Sequence, residues 1–159
     1  MASRKSWREK LSDSKDLPKV VALKGNARKH WGGGTMAIPS PLEVNDLMAH
    51  VPAGKLITIN EIRRMVARKH RADIGCPLTC GIFSWIAAHA AEEDAVAGKE
   101  RITPYWRTLK SNGELNPKYP GGIEQQKNRL ESEGPRIIQK EKKYYVEEYE
   151  SCLIKNLDR

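Results

Sequence analysis

The chain has 159 residues, 39% hydrophobic and 30% charged, with a formal net charge of +8. That length suits one compact domain with an appendage, and the charge favours a polyanionic partner from which bound Lys and Arg release condensed counterions. No apolar run approaches the roughly 20 residues of a membrane span, and three cysteines without CxxC spacing (Cys76, Cys80, Cys152) argue against both a disulfide framework and a zinc ribbon.

Residues 1–38 hold nine Lys or Arg against three acids. A short amphipathic helix around Trp7 and Leu11 is expected there, then an extended stretch over 17–23 and a mobile loop over 24–34. Gly32, Gly33 and Gly34 lack the GxxxxGK[ST] pattern of a phosphate-binding loop and read as a flexible joint; no cofactor is expected. The opening MASRKSWREK has no apolar signal core, so a cytoplasmic protein is expected, a monomer by default.

Ser40-Pro41-Leu42-Glu43 combines an N-cap hydroxyl, proline at the first helical position and a glutamate placed to cap reciprocally, which predicts a helix ending near His50. Thr58-Ile59-Asn60-Glu61 repeats the signal and starts a second helix, with Ile59, Ile62 and Val66 inward. Its other face carries Arg63, Arg64, Arg68, Lys69 and Arg71, either a solvated helix face or a row of phosphate contacts.

A third helix follows over 78–97, its stripe of Leu78, Ile82, Trp85, Ile86 and Ala90 read as core. Two helices joined by a turn with Gly75 and Pro77 form a helix-turn-helix candidate. Beyond it, 102–109 reads as extended, Ser111-Asn112-Gly113-Glu114 as a turn, and 121–133 as a helix stopped by Gly134. A hairpin with strands at 136–139 and 143–146 and a terminal helix over 147–157 complete a mainly α chain with small β elements.

Two stretches, in order, resemble the C-terminal domain of the O6-alkylguanine-DNA alkyltransferase family. Val51-Pro52-Ala53-Gly54-Lys55-Leu56-Ile57-Thr58 is similar to the IPxGxVxTY segment before that family's helix-turn-helix. Thr103-Pro104-Tyr105-Trp106-Arg107-Thr108, Ser111-Asn112-Gly113, Tyr119-Pro120-Gly121-Gly122-Ile123 and Leu130-Glu131-Ser132-Glu133-Gly134 resemble its PCHRV, SxG, YxGGL and LLxxEG motifs. The resemblance spans about residues 40–136 and implies a winged helix-turn-helix-like DNA-binding domain over 39–136. A basic extension (1–38) would precede it, and a hairpin plus helix (137–159) would pack on it.

The family's acceptor cysteine and its activating histidine correspond here to Tyr105 and Trp106. A phenol with pKa near 10 and no adjacent base is a poor alkyl acceptor, so the resemblance points to the alkyltransferase-like branch that lacks the acceptor cysteine. What it implies is a non-catalytic protein binding duplex DNA, alkylated or distorted, in a repair context. Arg107 joins the five helix cations as a candidate DNA contact, with a structural ion pair as its alternative. Pro104, Tyr105, Trp106, Tyr119 and Glu133 mark the former acceptor pocket, Tyr119 and Glu133 as its supports. Tyr105 and Trp106 either stack on a base or fill the pocket. The family's base-replacing arginine corresponds to Leu78, an apolar wedge or a core residue. An RNA- or protein-interaction module with a closed pocket is the rival, and alkyl transfer to Cys76 or Cys80 the remote one.

Overall fold

The computed structural model describes residues 5–31 and 34–154. The described residues are mainly helical with three small sheets, built around a helix-turn-helix.

Helix α1 (Trp7–Ser12) starts on a reciprocal capping box between Ser6 and Glu9. Strand β1 (Lys19–Ala22) follows. The expected loop over 24–34 is instead helical at α2 (Gly25–Trp31), whose Asn, Ala, Arg and Lys residues tolerate a helix that composition alone does not announce. Of the expected glycine joint, Gly32 and Gly33 lie outside the described residues. Gly34 is fixed: its amide donates to Asp73 Oδ2 at 2.8 Å.

Strand β2 (Thr35–Ile38) pairs antiparallel with β1 and leads into α3 (Pro41–Ala49). Ser40 caps α3 by accepting from the Glu43 amide at 3.2 Å. The predicted reciprocal contact from Glu43 is replaced, because that carboxylate lies buried against Lys69 and His70, with Oε2 at 3.1 and 2.6 Å from them. A two-residue strand β3 (Ile57–Thr58) runs into α4 (Ile59–Lys69), where the Thr58 amide donates to Glu61 Oε1 at 2.8 Å and completes the predicted box. Ile62 and Val66 are fully buried.

The turn between α4 and the next helix is itself a strand, β4 (Ile74–Gly75), parallel to β2. A Cβ on Gly75 would lie 2.2 Å from the Arg63 carbonyl oxygen, so only glycine lets the turn approach α4 this closely. Asp73 ties the same turn to the N-terminal sheet, accepting from the amides of Gly34 and Thr35.

Helix α5 (Pro77–Val96) is the longest element. Its buried face is Cys80, Ser84, Ala87, Ala88, Ala90 and Ala91, small residues that allow close approach to α1, α3 and α4. The expected core stripe is therefore corrected at its start: Leu78 is 69% and Ile82 41% exposed, because the alanine face rather than the bulky one turns inward. The amides of Trp7 and Arg8 donate to the two carboxylate oxygens of Glu93 at 3.0 and 2.9 Å, anchoring α1 through its own unpaired first-turn donors.

The segment expected to be extended over 102–109 contains a 3₁₀ turn, Tyr105–Arg107, before β5 (Thr108–Leu109), which pairs in parallel with β3. Helix α6 (Gly122–Ser132) and the hairpin β6 (Ile137–Lys140) and β7 (Lys143–Val146) follow the sequence reading closely. The predicted terminal helix is corrected to a 3₁₀ turn, Tyr149–Cys152, entered through Glu148 in the left-handed region. Leu153 then forms a parallel bridge with Leu56, and the Ile154 amide donates to the Leu56 carbonyl at 2.9 Å. A backbone paired with Leu56 cannot also wind into a helix; residues 155–157 of the expected helix lie outside the described residues.

Candidate nucleic-acid interface and former acceptor site

The 3₁₀ turn delivers Tyr105 and Trp106 into the junction of α5, α6 and the 99–104 connection. Tyr105 is fully buried, with its ring edge-on to Trp106 at 5.3 Å and to Tyr119 at 5.7 Å. Its hydroxyl accepts from Gln125 Nε2 at 2.9 Å and lies 3.4 Å from Glu92 Oε2. Burial raises the Tyr105 phenol above its ordinary range, and raises Tyr119 to about 12. A phenolate nucleophile is thus scarcer here than in water.

Trp106 and Arg107 share one carboxylate. Trp106 Nε1 donates to Glu133 Oε2 at 3.1 Å, while Arg107 Nε and Nη2 donate to its two oxygens at 2.9 and 2.6 Å. Arg107 Nη1 donates to the Val51 carbonyl at 2.6 Å. Burial opposes the charge on Glu133, but these hydrogen bonds and the guanidinium outweigh it and hold the carboxyl below its usual range. The arrangement is a fork-on-carboxylate clamp joining the 3₁₀ turn, the end of α6 and the loop after α3.

Fully buried Gln126 completes the wall. It donates to the carbonyls of Trp106 and Thr108 at 3.2 and 3.4 Å and accepts from the Asn116 amide at 2.8 Å. Pro104 is also buried. Among the described residues no group of three or more His, Cys, Asp or Glu is placed to hold a metal. Burial pushes the Cys80 thiol up to about 12, and Cys76 is buried as well.

The other face differs in every respect. Arg64 is exposed and paired with Glu61 at 3.2 Å, and Arg68, Lys69 and Arg71 are exposed along the end of α4 and just past it. Arg63 is half-buried and turned toward the chain itself, its Nε donating to the Gly75 carbonyl at 3.0 Å. Leu78, Ile82 and Trp85 of α5 form one side of an open groove of about 610 Å³, with Lys110, Asn116 and Lys118 on the other.

Known structures share this architecture. The chain is similar to Schizosaccharomyces pombe Atl1 solved with damaged DNA containing O6-carboxymethylguanine, at 25% identity and a TM-score of 0.51, covering 73% of this chain and 94% of that one. It is likewise similar to S. pombe ATL solved with DNA, at 26% identity and a TM-score of 0.52 over the same shares. No protein-family profile matches the chain, and no curated protein matches it. No helix among the described residues is long and apolar enough to cross a membrane.

The predicted site residues therefore fall into two groups. Pro104, Tyr105, Trp106, Arg107, Tyr119 and Glu133 come together as one packed unit. Arg64, Arg68, Lys69 and Arg71 share a solvent face, with Arg63 bracing the turn beneath it. Sequence reasoning missed Gln125 and Gln126, whose partners are 10 to 33 residues away. It also missed Lys110 and Lys118, which gain significance only from facing Leu78.

Proposed function

We propose that this chain is a non-enzymatic DNA-binding protein of the alkyltransferase-like kind, which docks its helix-turn-helix on duplex DNA and senses alkylated or distorted sites without accepting the alkyl group. The observation that carries the proposal is the fate of the acceptor position: a buried, hydrogen-bonded tyrosine fills it, on a scaffold whose solved neighbours are bound to DNA. Residues 39–136 are the DNA-binding unit, 1–38 a basic extension tied to the turn through Asp73, and 137–159 a C-terminal cover; the protein acts as a monomer.

Docking is electrostatic. Arg64, Arg68, Lys69 and Arg71 have long stems suited to phosphate oxygens, and Lys110 and Lys118 add positive charge to the groove at Leu78. Arg107, held by Glu133 and Val51, keeps the Tyr105 turn in place rather than reaching the duplex. Leu78 and Ile82, exposed in the groove that Lys110 and Lys118 also line, would press between base steps where the stack is already weakened. A distorted or alkylated step costs less to open than an intact one, and that difference is the source of selectivity.

The test is a salt titration of binding to matched duplexes with and without one O6-methylguanine, beside RNA of the same sequence, followed by intact-mass measurement. Expected are a log–log salt slope of about −3.6 or steeper, from four or more phosphate contacts at roughly 0.9 each, and tighter binding to the lesion duplex with no mass change. Preference for RNA, or equal and feeble binding to both duplexes, overturns the DNA role. A covalent adduct overturns its non-enzymatic part.

A further inference from the structure

A separate cleft of about 690 Å³ opens at the opposite end of α5. Its walls are Ala49 at the end of α3, Ala95 near the end of α5, the 99–104 connection, and Arg129 on α6. Leu78 and Ala95 are 17 residues apart on one helix, which at 1.5 Å per residue places the cleft about 25 Å from the groove at Leu78. It borders the clamp at Trp106 and Arg107 but lies on none of the cations assigned to duplex docking.

The lining is lopsided in charge: Lys99, Arg101, Arg107 and Arg129 against the single acid Glu100. Arg107 is neutralised by Glu133. Lys99 meets Asp94 at 3.3 Å from an exposed position, and Arg129 reaches Glu92 only at 3.9 Å. Arg101 is exposed and makes no hydrogen bond or ion pair among the described residues. The Arg129 guanidinium is steadied over the Trp106 indole at 4.5 Å from the ring centre, so it is positioned before any ligand arrives. Ala49, Ala95, Ile102 and Pro104 add an apolar wall, and Thr103 a hydroxyl-bearing side chain.

We propose that this cleft binds a nucleoside monophosphate unit: its phosphate between Arg101, Lys99 and Arg129, its ring against the apolar wall. A bare phosphate would leave most of the volume and all of the apolar wall unused, and a neutral nucleoside would leave the cations uncompensated. The volume lies within the roughly 300–1,000 Å³ of small-molecule sites. A guanidinium fork held in place, as Arg129 is, suits phosphate oxygens, and apolar walls suit the faces of a base. The unit is either a free nucleotide or the 5′-phosphorylated end of a strand, since both present the same group.

Calorimetric titration of the full chain with AMP, adenosine and inorganic phosphate at equal ionic strength tests this. AMP is expected to bind with a Kd of about 1 mM or tighter, and each half at least about tenfold more weakly. Lys99→Ala with Arg101→Ala should weaken AMP binding at least about tenfold while the melting temperature and duplex affinity hold, both side chains being exposed. A saturating duplex with unphosphorylated ends should leave AMP binding unchanged, and a 5′-phosphorylated dinucleotide competing with AMP identifies the strand-end source; competition by free nucleotides alone identifies the other. AMP binding no tighter than phosphate, binding that survives the double substitution, or binding abolished by the blunt duplex overturns the site. The duplex titration alone decides the DNA role, so the two proposals fail separately.

Discussion

The surroundings of Tyr105 and the outer face of α4 are both rich in polar and charged groups, yet they use them in opposite ways. Around Tyr105 the groups serve one another: Glu133 takes donors from Trp106 and Arg107, Gln126 ties two carbonyls and an amide, and Gln125 holds the phenol. On α4 the side chains of Arg64, Arg68, Lys69 and Arg71 are exposed, and so is Leu78 at the start of α5. A family resemblance marks both regions as site, but the groups packed around Tyr105 are taken up by one another while the α4 face keeps exposed cations.

Removing Trp106 strikes the first region hardest. Trp106→Ala empties a near-buried indole and leaves Glu133 short of a donor, so a loss of about 3–5 kcal/mol is expected from chemical denaturation. A loss under about 1 kcal/mol would mean the pocket is not sealed by packing. Glu133→Gln comes next, at about 3 kcal/mol, because it leaves the half-buried Arg107 guanidinium without its counterion. It also carries a pH signature. The Glu133 carboxyl titrates below its ordinary value of 4.5, so its contribution is complete above pH 4.5 and vanishes as pH falls through the lower folded-state value. The wild-type chain should lose stability more steeply than Glu133→Gln in that acid window, and parallel curves would dismiss the clamp.

A smaller effect lies at alkaline pH. Cys80 is raised from 9.0 to about 12 by burial, so the folded state favours the neutral thiol; stability is intact below pH 9 and drains as pH climbs toward 12. Cys80→Ala should flatten that decline. Half-buried Cys152 should be alkylated well before Cys80 in the native chain; equal rates would indicate that α5 opens readily.

How far these regions were legible follows from the range of the interactions that make them. The starts of α3 and α4 were readable because a cap and its partner are three residues apart. Gly134 as a stop and the β6–β7 hairpin were readable for the same local reason. The inward face of α5 was not: periodicity finds an apolar stripe at Leu78 and Ile82 and an alanine stripe beside it, and only the packing partners decide which is covered. The C-terminal turn was misread because Leu153 pairs with Leu56, nearly a hundred positions earlier. Tyr105 and Trp106 were recognisable as replacements from their motif, whereas Gln125 and Gln126 carry no motif and acquire a role only when α6 meets the 3₁₀ turn.

The smallest effect on stability belongs to the second region, and there the comparison can be made sharpest. Arg64→Ala and Leu78→Ala both alter exposed side chains, so each should shift stability by no more than about 0.5 kcal/mol. Their consequences for duplex binding should nevertheless differ in kind. Losing Arg64 removes one phosphate contact, lowering the salt slope by about 0.9 and weakening intact and lesion duplexes alike. Losing Leu78 removes no charge, so the slope stays put while the preference for the lesion duplex shrinks, because a side chain that presses between weakened steps gains most where opening costs least. If Leu78→Ala left that preference whole, exposure at the head of α5 would be incidental, and selectivity would have to come from the shape of the backbone read by the cations alone.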